Sequence, residues 1–303
     1  MRWPGGSAYR RIWVVGDPTD DRRPPISGGT RLAAVIGAPV RHSLSPTLLN
    51  TAFAEAGLDW HFMALEVAEG QAGEALDAVR ALGLVGLSVT MPHKAAVAAA
   101  VDHRTDEAEA LDAVNCVVVE EDRLVGHNTD GDGFLDGLRH DAGLDPTGRR
   151  TVVLGAGGAA RAVVLALARA GAAEVAVVNR TASRAEVAAA LAGSAGRVVG
   201  PNDVSEAVAA ADLVVNATSV GMAGDGSLPV DPEAVALGAV AVDLIYHPPE
   251  TAWLAALRGR GIEAHNGLSM LVFQAAHAFV LWTGSEAPVA AMDAAARAVL
   301  ATR

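Results

Sequence analysis

Thr151-Val-Val-Leu154 runs without interruption into Gly155-Ala156-Gly157-Gly158-Ala159-Ala160. A short β-branched run, a glycine loop and a run of small helix formers describe a strand that turns directly into a helix, here Ala159–Ala170. Gly155 permits the tight turn, and Gly157 lets the backbone approach a diphosphate. The small Ala160, in the usual third-glycine place, allows the helix to pack closely on the strand. The free N–H groups and positive dipole end of that helix then favour an anion. A turn that binds nothing could use the same glycines. Beyond this helix come strand Glu174–Val178, helix Ser183–Leu191, strand Val198-Val199, helix Val204–Ala210 and strand Leu213–Asn216. That alternation predicts a parallel, doubly wound Rossmann-type sheet.

The end of the second strand bears on the cofactor. A site for NAD usually has an acid there, hydrogen-bonded to the ribose 2′-hydroxyl. This chain has Asn179-Arg180-Thr181-Ala-Ser-Arg184 instead. Two guanidiniums and a hydroxyl suit a 2′-phosphate, and no carboxylate is present to repel it, so NADP is expected. The two arginines could equally be a solvated helix face. A methyltransferase would share the glycine loop, but it too usually wants an acid at this strand end.

The chain has 303 residues, enough for two domains with separate cores. Its first half also alternates: strand Leu32–Ile36, a helix opened by Ser45-Pro46, strand Phe62–Val67, helix Gln71–Leu82, strand Gly86–Thr90, a helix from Pro92, then strands Ala113–Glu120 and Arg123–His127. Helices are expected at Gly267–Thr283 and Pro288–Thr302. The expected class is α/β, an N-terminal α/β domain of about 100 residues joined to a Rossmann-type unit that begins near Arg150. Residues 1–30 mix Pro, Gly, Asp and Arg around one apolar run, Ile12–Val15, and read as a flexible extension.

Composition excludes several partners. The net charge of −12 argues against nucleic acid or an anionic membrane surface. No apolar run is long enough to span a bilayer, and the N-terminus lacks the pattern of a secretory signal. The single cysteine, Cys116, forms no disulfide framework, and the nine histidines show no metal-ligand spacing, so no metal is expected. A cytoplasmic protein, monomeric or homodimeric, acting on a small molecule fits these limits.

One lysine, Lys94, stands among 22 arginines. Arginine stays protonated in proteins, whereas lysine can exchange a proton when desolvated or placed in a strong field. Lys94 follows the β-rich run Ser88-Val-Thr90-Met-Pro-His93, at a strand end where catalytic groups are often found. Other polar groups also fall at element ends. Ser43 and Ser45 precede a helix, a good place for a carboxylate, and Asn115, Asn128-Thr-Asp130 and Gln274 complete the set. Taken singly, each could be a cap, a turn residue or a packing residue.

Together these runs resemble the shikimate dehydrogenase family from residue 32 onward. The matching segments are Gly37–Pro46, Val89–Lys94, Ala113–Asn115, Asn128–Gly131, Gly155–Arg161, Asn179–Arg184, Asn216–Ser219 and Gln274–Ala278. The resemblance implies an N-terminal α/β substrate domain and a C-terminal doubly wound Rossmann-type NADP domain with a cleft between them, with 31–130 plus 267–303 as the substrate-binding, catalytic domain and 131–266 as the nucleotide domain. It implies reduction of 3-dehydroshikimate with NADPH in aromatic amino-acid biosynthesis. It implies that Lys94 and Asp130 form the catalytic pair and that Ser43 and Ser45 hold the substrate carboxylate. Thr90, Asn115, Asp130, Tyr246 and Gln274 would bind the ring hydroxyls. Gly155, Ala156, Gly157, Gly158, Ala159, Asn179, Arg180, Thr181, Arg184 and Thr218 would bind NADP, with Leu244, Gly267 and Met270 near the nicotinamide. Ser88 and His93 stand where the family often has Asn and Phe, Cys116 where Thr is common, and Ser269 where Gly is common. A quinate/shikimate or aminoshikimate-type dehydrogenase and a non-catalytic NADP sensor are the competing expectations.

Overall fold

The computed structural model describes residues 25–302. The expected extension lies largely outside the described residues, as does Ile12–Val15. Its last residues lead into the fold through Thr30, whose hydroxyl donates to Asp59 Oδ1 at 2.7 Å.

The first half contains β1 (Arg31–Gly37), α1 (Ser45–Glu55), β2 (Trp60–Glu66), α2 (Ala72–Leu82), β3 (Gly86–Val89), α3 (Lys94–Ala100), β4 (His103–Arg104), α4 (Asp106–Leu111), β5 (Cys116–Glu120) and β6 (Arg123–His127). These strands form one sheet in the order β2-β1-β3-β5-β6-β4. β1 runs parallel to β2 and β3, whereas β5 is antiparallel to β3 and β6. The second half contains α5 (Asp130–Ala142), β7 (Arg150–Leu154), α6 (Gly158–Arg169), β8 (Glu174–Val178), α7 (Ala182–Ala190), β9 (Gly196–Val198), α8 (Val204–Ala209), β10 (Leu213–Asn216), β11 (Val240–Asp243), α9 (Ala252–Gly259), β12 (Glu263–Asn266), α10 (Leu268–Thr283) and α11 (Val289–Leu300). Its sheet is ordered β12-β11-β10-β7-β8-β9, with every pair parallel. This is the doubly wound order, with the chain reversing its direction of progress between β7 and β10.

Four elements start two or more residues from expectation; β2 begins at Trp60 rather than Phe62, and β9 at Gly196 rather than Val198. α3 begins at Lys94 rather than Pro92, because Thr90–His93 close a turn first, with His93 N donating to Thr90 O at 3.0 Å. β5 begins at Cys116 rather than Ala113. Asn115 lies just outside it, with its N–H bonded to His127 O at 3.0 Å and its carbonyl accepting from Val89 N at 2.7 Å.

The parallel sheet is covered on both faces by separate apolar clusters. One joins α6 and α7 through Val163, Val164, Leu167 and Ala188, and the other joins α8 and α9 through Val208, Trp253, Leu254 and Leu257. In the first sheet, α1, α10 and α11 bury Leu48, Phe53, Phe279 and Met292 against one face, and α2 and α3 cover the other. No helix among the described residues is long and apolar enough to cross a membrane.

α5 and α10 cross at backbone contact distance. A Cβ added at Gly133 would lie 2.6 Å from Gln274 N, and one at Gly137 would lie 3.0 Å from Met270 N. Side chains flank this glycine seam. His277 Nε2 is 2.8 Å from Asp136 Oδ2, and Ser269 Oγ donates to Asp141 Oδ1 at 2.8 Å. The hydroxyl at position 269 therefore has a structural partner, and His277 faces α5.

Candidate active site

A cavity of about 390 Å³ opens where β1 and β3 end. That volume is in the range of small-molecule sites. Ser43, Ser45, Thr90, Lys94, Asn115, Asp130, Tyr246 and Gln274 all line it. Residues from widely separated stretches of sequence thus meet in one space. Ala159, Leu244, Gly267 and Met270, expected on the cofactor side, line the same cavity. Its apolar wall includes Val35, Val40 and Leu271, which were not singled out in the sequence because isolated aliphatic residues look the same wherever they pack.

Lys94 Nζ donates to Asp130 Oδ2 in a short ion pair. The lysine side chain is 22% exposed and the aspartate 9%, so the pair is mostly withdrawn from water but open to the cavity. Lys94 opens α3, the helix end where a positive charge is electrostatically disfavoured. Asp130 opens α5, the end that favours a negative charge. The carboxylate thus suits its own helix end and offsets the unfavourable charge at the start of α3.

The carboxylate is held from its other side as well. Asn115 Nδ2 donates to Asp130 Oδ1 at 2.7 Å. Asn128 Oδ1 accepts from Asp130 N at 3.1 Å, and Asn128 Nδ2 donates to Ala113 O at 3.0 Å. Asn128 and Thr129 were legible only as parts of a motif, and the structure reveals them as the bed on which Asp130 rests.

Ser43 and Ser45 sit at the entry to α1. Their hydroxyls are 3.2 Å apart, and Ser45 N donates to Ser43 Oγ at 3.2 Å. The N-cap residue of α1 is Leu44, which provides no side-chain cap and is itself buried. The Ser43 hydroxyl thus accepts the first N–H of α1, whereas no backbone N–H among the described residues donates to the Ser45 hydroxyl. Gln274 also faces the cavity, and its Nε2 donates to Leu271 O of its own helix at 2.9 Å.

Beside Lys94, His93 is 1% exposed, and its Nε2 lies 2.8 Å from Val67 O. That ring anchors the loop before α3 to the end of β2 and does not line the cavity. Cys116 is fully buried, and burial pushes its thiol well above the ordinary range, so it is no nucleophile at neutral pH.

The remaining expected cofactor residues lie outside this cavity, at the carboxyl ends of β7, β8 and β10. Gly155 has φ +114°, and a Cβ there would fall 2.8 Å from Ala217 O, so glycine is required. At Gly157 and Gly158 a Cβ would meet nothing within 4 Å, which leaves the start of α6 open to a ligand. Arg180, Thr181 and Arg184 are exposed, and no ion pair among the described residues involves either arginine. Asn179 Nδ2 donates to Thr181 O at 3.0 Å and shapes the turn that carries them. These features fit a dinucleotide with an extra phosphate.

A buried network orders the loops between this region and the cavity. Asp243 Oδ1 accepts from Asn216 Nδ2 at 2.9 Å and from Ile245 N at 3.1 Å, and Asp243 Oδ2 accepts from Thr251 Oγ1 at 2.8 Å. Burial pushes the Asp243 carboxyl above its usual range, and these three donors oppose that shift. Asn216 Oδ1 also accepts from Thr218 Oγ1 at 2.7 Å. One network thus fixes Thr218 on one side and the Leu244–Tyr246 turn on the other. Asn216 itself is 0% exposed.

A doubly wound sheet with an open glycine loop, set beside a polar cleft with a lysine–aspartate pair, defines a two-domain dinucleotide-dependent oxidoreductase. Comparison with known proteins narrows the class. The model for the shikimate dehydrogenase substrate binding domain matches residues 35–117, that for shikimate/quinate 5-dehydrogenase matches 140–222, and that for the shikimate 5'-dehydrogenase C-terminal domain matches 267–297. The shikimate dehydrogenase (NADP(+)) of Moorella thermoacetica is 46% identical over 88% of this chain and 93% of its own length. The solved shikimate 5-dehydrogenase of Thermus thermophilus, in complex with NADP(H) and shikimate, superposes with a TM-score of 0.82 at 39% identity, covering 88% of this chain and 99% of that one. The quinate dehydrogenase of Corynebacterium glutamicum in complex with NAD also has a TM-score of 0.82, at 32% identity, covering 89% and 99%. The chain belongs to the shikimate dehydrogenase family.

Proposed function

We infer that the protein catalyses the reversible NADP-dependent interconversion of 3-dehydroshikimate and shikimate. The observation that carries this reading is the Lys94–Asp130 pair inside a cavity that Leu244, Gly267 and Met270 also wall. The 31–130 unit, closed by residues 267–303, holds the substrate, and the 131–266 unit holds the dinucleotide.

NADPH, when bound, supplies the hydride for the ring ketone. Lys94 lies at the position for the reacting oxygen, where it stabilises the charge that develops and delivers a proton to it. Asp130 holds the ammonium in place through Oδ2, while Asn115 keeps Oδ1 from rotating away. In the oxidative direction Lys94 receives the proton from the substrate hydroxyl. Ser43 and Ser45 bind the carboxylate, which fixes the ring at its far end, and Thr90, Tyr246 and Gln274 bind ring hydroxyls. The start of α6 takes the diphosphate, and Arg180, Thr181 and Arg184 take the 2′-phosphate.

Two sets of variants separate the two binding functions. Arg180→Ala and Arg184→Ala are each expected to raise KM for NADP by the worth of a charge-assisted hydrogen bond, about 1.5–3 kcal/mol. Unchanged KM for NADP in both would overturn the phosphate assignment. Ser45→Ala is expected to raise KM for shikimate and leave KM for NADP in place. Since the serine hydroxyl does not cap α1, an equal rise in both constants would mean that Ser45 serves folding and not the carboxylate.

The quinate reading has a structural relative behind it, but two serines at positions 43 and 45 and two arginines with no ion pair among the described residues at the second strand end favour shikimate and NADP. A cofactor sensor has no use for a buried lysine–aspartate pair.

A further inference from the structure

Thr129 is 4% exposed and binds no substrate in the proposed mechanism, yet it sits against the supports of the catalytic aspartate. Its backbone N–H lies 2.8 Å from Asn115 Oδ1. A backbone N–H can only donate, so this contact dictates which end of the Asn115 amide is oxygen. The NH2 end must then face the other way, toward Asp130 Oδ1 at 2.7 Å and Thr129 Oγ1 at 3.0 Å. Both amide hydrogens of Asn115 are thereby used, which leaves that residue able to accept from a substrate hydroxyl but not to donate to one.

The Thr129 hydroxyl has one hydrogen. It accepts from Asn115 Nδ2, and it reaches Gln274 O at 3.1 Å and Asn115 Oδ1 at 3.3 Å. Its shorter outgoing contact is to Gln274, 145 residues away on α10. Gln274 is one of three residues, with Met270 and Leu271, that α10 brings into the cavity, and the polar one among them. A chain of hydrogen bonds therefore runs from the α10 backbone through Thr129 and Asn115 to Asp130 and ends on Lys94.

We propose that Thr129 is a positioning residue: its hydroxyl locks the Asn115 amide, and with it the Asp130–Lys94 pair, to the position of the substrate-binding helix α10. This rests on the reading that Lys94 and Asp130 carry the proton transfer. Without the hydroxyl, Asn115 Nδ2 loses an acceptor in a buried setting, and one support of the Asp130 carboxylate loosens.

The test compares Thr129→Val, Thr129→Ala and Thr129→Ser, with Asp130→Asn as a control. kcat and KM for shikimate are measured across pH, with NADP affinity and melting temperature measured separately. Thr129→Val and Thr129→Ala are expected to lose about tenfold in kcat, the worth of one buried hydrogen bond, and to shift the pH profile. Thr129→Ser should restore both, and NADP affinity should hold in all three. A wild-type pH profile and kcat in Thr129→Val and Thr129→Ala, with only the melting temperature lowered, would overturn the proposal. So would a Thr129→Ser variant as impaired as Thr129→Val, since the methyl and not the hydroxyl would then matter. A slow Asp130→Asn beside a fast Thr129→Val removes this proposal alone, whereas a fast Asp130→Asn removes the catalytic pair itself.

Discussion

Lys94→Ala is expected to lower kcat by about 10²–10⁴, the usual range for losing a general acid–base, while NADP binds as before. Lys94→Arg is expected to fall by a similar order. Arginine keeps the charge and can still pair with Asp130, but it does not release its proton and presents a wider planar head. If the lysine acted only as a charge beside the developing alkoxide, arginine would recover much of the rate. The geometry argues for the proton role. The ammonium is already neutralised by Asp130 Oδ2, so the pair as a whole offers little net charge to the substrate. Measuring kcat for all three proteins across pH decides between the two roles. Near-normal turnover in Lys94→Ala would leave the fold and the cofactor site without a catalyst.

Gly133→Ala is expected to destabilise the protein by about 1–3 kcal/mol, the typical cost of an extra methyl forced into a packed site, and to raise KM for shikimate. Gly133 lies inside α5, where helix propensity alone favours alanine by about 1 kcal/mol. Packing predicts the opposite sign. The new Cβ would lie 2.6, 2.7 and 2.8 Å from Gln274 N, Cβ and Cα, so α10 must move. The residue it displaces, Gln274, lines the cavity, which is why binding should suffer together with stability. Gly137→Ala, with its nearest contact at 3.0 Å, should show a smaller form of the same defect. Melting temperature and KM, measured on both variants, check this. A Gly133→Ala protein as stable as the wild type, or more so, would show that the two helices can separate without consequence.

The same segment shows where sequence reading stops. No helix is legible in Asp130-Gly-Asp-Gly-Phe-Leu-Asp-Gly137, because three glycines and three aspartates are poor helix formers. It is nevertheless helical, as the glycines let α5 lie against α10, a partner more than a hundred residues away. The Rossmann half was legible because each of its early signals is local: strand, glycine loop and helix are contiguous, and the observed β7, β8 and β10 start and end as expected or within a residue. β11, α9 and β12 were not read. Val240-Ala-Val-Asp243 is too short to declare a period, and only its place between β10 and β12 makes it a strand. The cavity-lining residues at element ends were legible as a set through the family resemblance. The supports beneath them were not, since the hydroxyl of Thr129 acquires meaning only from a carbonyl 145 positions further along.

The most direct test of the proposed activity is kcat/KM of the unmodified protein for shikimate and for quinate, each with NADP and with NAD. Shikimate with NADP should be the best of the four combinations. Replacing NADP by NAD should cost at least about ten- to a hundredfold, the value of a single charge-assisted contact of the kind proposed for Arg180 and Arg184. Equal or faster turnover of quinate, or of shikimate with NAD, would contradict the assignment.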